Sequence, residues 1–292
     1  MKRPKKLHLA VAGLLLAVSQ IAAASDASGS FSRTLTVSAN PQVEIETGSG
    51  SITVRTGATD RINIEAKIKA NDGWGWGGDS RLSAEERVKR LEANPPVEQH
   101  GNTVVIGKIE DHDLRNVSIS YEVTVPASSR LESHTGSGHQ RIEDIQGPVR
   151  ATTGSGGVEI GRIGDSVEAQ SGSGNIEIGG ASGNVNARTG SGHITLHNIK
   201  AGLRASTGSG GIDVDGDAKN DWDLHTGSGG ISVHTPTQAA FHVDAESGSG
   251  GVTIDRQITM QGNISRRHVE GVVGNGGPMM RLRTGSGGIH VN

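Results

Sequence analysis

The tetrapeptide [Ser/Thr]-Gly-Ser-Gly occurs nine times, starting at Thr47, Thr135, Thr153, Ser171, Thr189, Thr207, Thr226, Ser247 and Thr284. From Thr135 to Thr207 the copies stand 18 residues apart, and the later steps are 19, 21 and 37. A fixed short period restricts a chain to architectures in which one small unit stacks on the next, because a unit this short cannot bury a core alone.

The residues around each copy define the unit. In Val185-Asn186-Ala187-Arg188-Thr189-Gly190-Ser191-Gly192-His193-Ile194-Thr195-Leu196, apolar residues alternate before the glycines and again after them. That is the period of a strand with one buried face. The unit reads as strand, Gly-Ser-Gly turn, strand, second turn. Aligning the copies gives columns: Val149-Ala151-Thr153, Val167-Ala169-Ser171, Val185-Ala187-Thr189, Leu203-Ala205-Thr207, Trp222-Leu224-Thr226 and Val243-Ala245-Ser247 before the glycines. After them come Val158-Ile160, Ile176-Ile178, Ile194-Leu196, Ile212-Val214, Ile231-Val233 and Val252-Ile254. One residue type per level is the signature of an all-β, single-stranded parallel β-solenoid (β-helix) with turns of roughly 18 residues. With 33% hydrophobic and 2% aromatic residues, the expected interior is a thin stack of Ile, Val, Leu and Ala with no space for large rings. By parity the Thr/Ser column points inward, where each hydroxyl needs a hydrogen-bond partner. Mixed rows such as Arg150, Glu168, Asn186, Arg204, Asp223 and Asp244 face water.

Residues 1–24 read as a signal peptide. Lys2, Arg3, Lys5 and Lys6 precede the apolar run Leu7 to Val18, and Ala22-Ala23-Ala24 places cleavage after Ala24. Export to the periplasm, the cell surface or the medium is expected, with no membrane span left after cleavage. The remaining domain, 25–292, contains no Cys, so stacking and not disulfides has to stabilise it. Losing the four basic residues of the leader takes the formal charge from −3 to −7, which speaks against nucleic acid as a partner.

Two stretches break the period. Within 70–101, Trp74 and Trp76 lie among glycines, and a helix follows. Ser83 and Glu86 have capping-box spacing, Ala84, Val88 and Leu91 make one apolar stripe, and Asn94-Pro95-Pro96 ends it. The helix is expected to cap the solenoid, and Trp74 and Trp76 are the candidate ligand-binding residues. The stretch 255–280, with Arg266-Arg267-His268 at its middle, is expected to be a loop or side hairpin. Phe31 to Val37 reads as a lead-in strand over an open end. Gln140 occupies a slot that later turns fill with Val or Ile.

No catalytic or cofactor constellation stands out. The glycine turns lack the Lys-Ser/Thr of a phosphate loop, and no Gly-x-Ser-x-Gly is present. Gly208 to Asp213 approaches a calcium nonapeptide, but the opposing half-turns lack ligands, leaving Asp213, Asp215 and Asp217 as at most a weak cation site. The histidines, among them His193 and His197, show no zinc spacing and read as solvated strand residues. The chain is therefore expected to be neither an enzyme nor a metalloprotein, and to need no cofactor.

The recurring Thr-Gly-Ser-Gly-x-Ile-x-Val, the lead-in Val125-Pro126-Ala127 and the leader resemble the bacterial "putative adhesin" family of β-strand-repeat proteins, a domain of unknown function. The likeness covers Val43 to Ile68 and Thr103 to Val291 and carries over no site residues. The family's name implies adhesion; the chain is expected to act as an adhesin-like binding or scaffold surface, with a glycan as partner through Trp74, Trp76 and one long face. The alternatives are a periplasmic structural or envelope-stress component holding an envelope protein and, further off, a polysaccharide-processing β-helix enzyme.

Overall fold

The computed structural model describes residues 26–72, 82–114, 116–260 and 265–292. Each repeat forms one rung of two short strands, and the rungs stack in parallel. Strands that precede the glycines form a 13-stranded sheet, and strands that follow them belong to a 12-stranded sheet. The core lies between the two sheets. Registers match the columns: Val149 pairs Val167, Val167 pairs Val185 and Val185 pairs Leu203, while across the glycines Val158 pairs Ile176 and Ile176 pairs Ile194. The protein is a single-stranded parallel β-solenoid with one helical insert.

The Thr/Ser column is buried at all nine levels, from 0% to 7% exposed. Its hydroxyls form a ladder along the stack. Thr153 Oγ1 donates to Gly138 O at 3.2 Å, Ser171 Oγ to Gly156 O at 2.9 Å, Thr189 Oγ1 to Gly174 O at 2.8 Å and Thr207 Oγ1 to Gly192 O at 2.9 Å. The turns thus satisfy a buried hydroxyl and a buried carbonyl with one bond. The second glycine of the motif is required by close approach: a Cβ on Gly156 would lie 1.8 Å from Gly138 O, and one on Gly174 1.9 Å from Gly156 O.

The order of the rungs departs from the order of the chain at both ends. The strand Met279–Ser286 pairs in parallel with Trp222–Ser228 on one side and with Phe241–Ser247 on the other. The last rung is therefore inserted between the Thr226 and Ser247 rungs, which the sequence columns had placed as neighbours. The hydroxyl ladder follows the inserted order, with Thr284 Oγ1 donating to Gly229 O and Ser247 Oγ to Gly287 O, both at 2.8 Å. At the other end, Gln42–Ser49 lies between Thr103–Ile106 and Arg130–Ser137. The first motif rung thus sits inside a rung that comes later in the chain.

Both interruptions serve as end caps. The helix Ala84–Ala93 begins at Ser83 with a complete capping box. It buries Ala84, Val88, Leu91 and Arg87 and packs on the edge strand Asp26–Thr36. Glu92 Oε1 accepts a bond from the Ser30 backbone N–H at 2.9 Å, so the helix blocks an edge that would otherwise pair with another strand. The second interruption is not only loop. His268–Val273 pairs antiparallel with Phe241–Ser247 and with Ile258–Met260, closing the 13-stranded sheet.

Large rings do enter the core. Trp222, Tyr121 and Phe241 are among the largest fully buried side chains. Trp222 stands 19 residues after its partner Leu203, one more than in the preceding rungs, and its Nε1 donates to Ala201 O at 2.9 Å. Gln140 is fully buried and satisfied: Ser133 Oγ donates to its Oε1 at 2.5 Å, and its Nε2 donates to Thr152 O at 2.6 Å.

Candidate functional site

The strands before the glycines turn their alternate side chains outward, and in-register stacking makes these into straight rows. In spatial order one row reads Glu132, Arg150, Glu168, Asn186, Arg204, Asp223, Arg281 and Asp244. Opposite charges alternate along this stretch, with one neutral residue, Asn186, near the middle; beyond Glu132 the row continues to Glu44, a like charge. Arg150 reaches Glu168 at 2.8 Å and Glu132 at 3.6 Å, and Arg204 approaches Asp223 at 4.0 Å. Beside this row run the corner residues that enter each strand, including Pro148, Ser166, Asn184 and Gly202. Row and corner enclose a groove of about 1040 Å³ parallel to the solenoid axis. Its lining runs from Gln42 to Arg281 and spans eight rungs, a length of about 34 Å at the spacing of paired strands. Five basic side chains and four acidic ones line it, and Lys219 is paired outside the lining with Asp217 at 2.6 Å. The groove therefore has little net field.

In the neighbouring row Arg283 forms a two-pronged pair with Asp244, at 2.9 and 2.6 Å. Those hydrogen bonds hold the Asp244 carboxyl below the usual carboxylate range, against the opposing effect of burial.

Trp74 and Trp76 lie outside the described residues. The histidines are more engaged than isolated solvated residues. His193 Nε2 lies 2.7 Å from Asp213, His197 Nδ1 2.5 Å from Asp215, His290 Nε2 3.4 Å from Asp255 and His268 Nε2 3.3 Å from Asp244. The first two pairs are visible in the sequence once positions 18 to 20 apart are read as neighbours, whereas the other two, 35 and 24 residues apart, depend on how the end rungs and the side hairpin are placed. The three aspartates near 215 do not converge, since Asp213 and Asp215 each face a histidine and Asp217 faces Lys219. Burial alone would raise Asp215, but bonds from the Asn198 N–H and from His197 hold its carboxyl below the ordinary value. Among the described residues no group of three or more His, Asp or Glu is placed to share a metal ion.

One contact resembles a nucleophile and its base. Ser232 Oγ lies 3.3 Å from His234 Nε2, and His234 Nδ1 lies 2.6 Å from Asn292 Oδ1. All three are on the outer face of the sheet. The strand Ile231–His234 is paired on both sides, so its own amides are committed to the ladders.

The Toastrack DUF4097 domain matches residues 78–292. The chain belongs to this family. The match begins after the Thr47 rung, which the repeat nevertheless includes in the stack. No curated protein matches. Among solved structures, a "putative adhesin" from Bacteroides fragilis is similar at 12% identity and a TM-score of 0.37, over 90% of this chain and 97% of that one. A "putative lipid binding protein" from Parabacteroides distasonis has 11% identity and a TM-score of 0.37, over 89% and 96%. A "putative cell adhesion protein" from Clostridium sporogenes has 12% identity and a TM-score of 0.29, over 90% and 99%. Among the described residues no helix is long and apolar enough to cross a membrane.

Proposed function

We propose that this toastrack protein is an exported, non-enzymatic binding protein, adhesin-like in use, that holds an extended polymer in the groove along its 13-stranded sheet. The observation that carries the proposal is the groove itself. It crosses eight rungs in register, and only a ligand laid along the axis can contact all eight levels at once. Stacking also fixes the backbone on which these side chains stand, so little ordering cost is added on binding. Export rests on the leader at residues 1–24, which lies outside the described residues.

The test is a glycan array read beside a pull-down from envelope extract, using the full chain and a Ser166→Trp variant. Ser166 lines the groove, and a tryptophan there would obstruct it. Polymer binding by the native chain that is lost in a folded Ser166→Trp variant supports the proposal. Binding that survives the plug moves the site elsewhere, with the segment of Trp74 and Trp76 first in line. A stoichiometric protein partner with no glycan bound would favour the envelope-component reading.

A further inference from the structure

The chemistry of the groove narrows the class of polymer. We infer that the groove is selective for an uncharged, hydroxyl-rich glycan, and that Asn186 at its middle makes the central contact. This inference rests on the groove being the binding site.

Three observations carry it. First, the charges lining the groove are nearly balanced, and several are paired with one another. Arg150 is held between Glu132 and Glu168, and Arg204 lies near Asp223. With five bases against four acids, a polyanion or polycation would find as much repulsion as attraction along the row. It would also have to break existing pairs, whereas a neutral chain would not.

Second, the centre of the groove is amide chemistry. Asn186 stands where the levels on either side carry Glu168 and Arg204, and Asn184 lies two residues before it, in the corner. Asn184 Oδ1 already accepts the Gly202 N–H at 3.0 Å. Asn186 Oδ1 is buried without a hydrogen-bond partner. A buried acceptor left unpaired is unfavourable, and the last torsion of an asparagine turns easily. Rotation toward the groove lets a ligand hydroxyl supply the missing bond, so binding relieves a cost present in the free chain. An amide both donates and accepts, which suits a hydroxyl.

Third, the groove has nothing that recognises a peptide. The strands beneath it are paired on both sides within the stack, from Arg130–Ser137 to Trp222–Ser228, so none can accept an added strand. The floor residues Leu131, Val149, Val167, Val185 and Leu203 are 1% to 4% exposed, so there are no apolar pockets for side chains.

The experiment is calorimetric titration of the full chain, Asn186→Ala and Ser166→Trp, each shown folded by circular dichroism. The probes are a neutral set (dextran, mannan, galactan and xylan), heparin as an anionic polymer, and polyproline as an extended peptide. The expected result is binding of at least one neutral glycan, with affinity unchanged up to about 0.5 M NaCl because no ion pairs are formed. Asn186→Ala should weaken it about tenfold, the worth of one well-made hydrogen bond. Silence toward every neutral glycan overturns the inference. So does binding of heparin alone with steep salt dependence, or of polyproline alone. In those two cases, loss on Ser166→Trp would still uphold the groove as the site. Glycan binding indifferent to Ser166→Trp would overturn both readings.

Discussion

Two glycines of the turns, one closing a motif copy and one just after another copy, show how differently one residue type can be constrained. Gly156 is pressed against the carbonyl of Gly138, with 1.8 Å available for a Cβ, whereas a Cβ on Gly230 would meet Gly288 O at 3.4 Å. Gly156→Ala is therefore expected to destabilise the fold by about 1–3 kcal/mol or more, as overpacking does, and Gly230→Ala to stay within about 0.5 kcal/mol. Chemical denaturation of the two variants checks the contrast. The buried pair Ser133 and Gln140 makes a second test. Ser133→Ala alone leaves Gln140 Oε1 without its donor, at a cost of about 1–3 kcal/mol. Ser133→Ala combined with Gln140→Ile restores the Ala and Ile pattern of the later rungs and is expected to recover most of that loss. Additive losses in the double variant would show that the polar pair is not coupled.

Among the elements, the helix Ala84–Ala93 has the most specific role. Its Arg87 is 3% exposed and donates to Asn71 O at 2.9 Å, Asp72 Oδ1 at 3.0 Å and Asn116 O at 3.2 Å. This ties the helix to the end of one strand and the approach to another. Arg87→Ala removes those three bonds, leaving Asp72 Oδ1 with its bond from the Ala84 N–H. The expected result is faster hydrogen exchange in Asp26–Thr36 and Arg61–Asn71, with the central rungs near Thr189 still protected, because a stacked array opens locally from its ends. Uniform loss of protection would instead make the helix part of a global folding unit.

For the whole molecule, the decisive feature is the insertion of the last rung. Had the Ser247 rung stacked directly on the Thr226 rung, Asp223 would face Asp244. Insertion places Arg281 between them and brings Arg283 against Asp244. Like charges directly opposite across strands destabilise, and opposite charges stabilise, each by a few tenths to about 1 kcal/mol. Arg281→Glu with Arg283→Glu is thus expected to lower the melting temperature and expose 279–292 to protease before the central rungs. The pH dependence follows from Asp244, whose carboxyl is held down chiefly by the Arg283 hydrogen bonds. A depressed carboxyl contributes stability above its unfolded value of about 3.9, and that contribution is lost as pH falls through the lower folded value. The advantage of the native chain over Arg283→Gln should be constant at neutral pH and shrink as acid is added below about pH 4. An advantage that persists in strong acid would assign the arginine a packing role only.

The period of [Ser/Thr]-Gly-Ser-Gly, with alternation on either side, determined the solenoid, the register and the inward hydroxyl column, and the capping box and apolar stripe after Ser83 determined the helix. Each of these depends on residues close in the chain or on the same position in the next repeat, which a sequence displays directly. The odd residue Gln140 was visible too, but not that Ser133, seven residues before it, is its partner across the core. Only the tertiary structure decided the order of the rungs at the two ends. A Thr-Gly-Ser-Gly rung fits against any other through the same ladder, so the repeat cannot say which are neighbours. That choice is made by long-range terms: connection lengths, the caps, and the charges of Arg281 and Arg283. The groove became legible for the same reason, since a row along the axis acquires its sequence of charges and its neutral centre at Asn186 only after the rungs are placed.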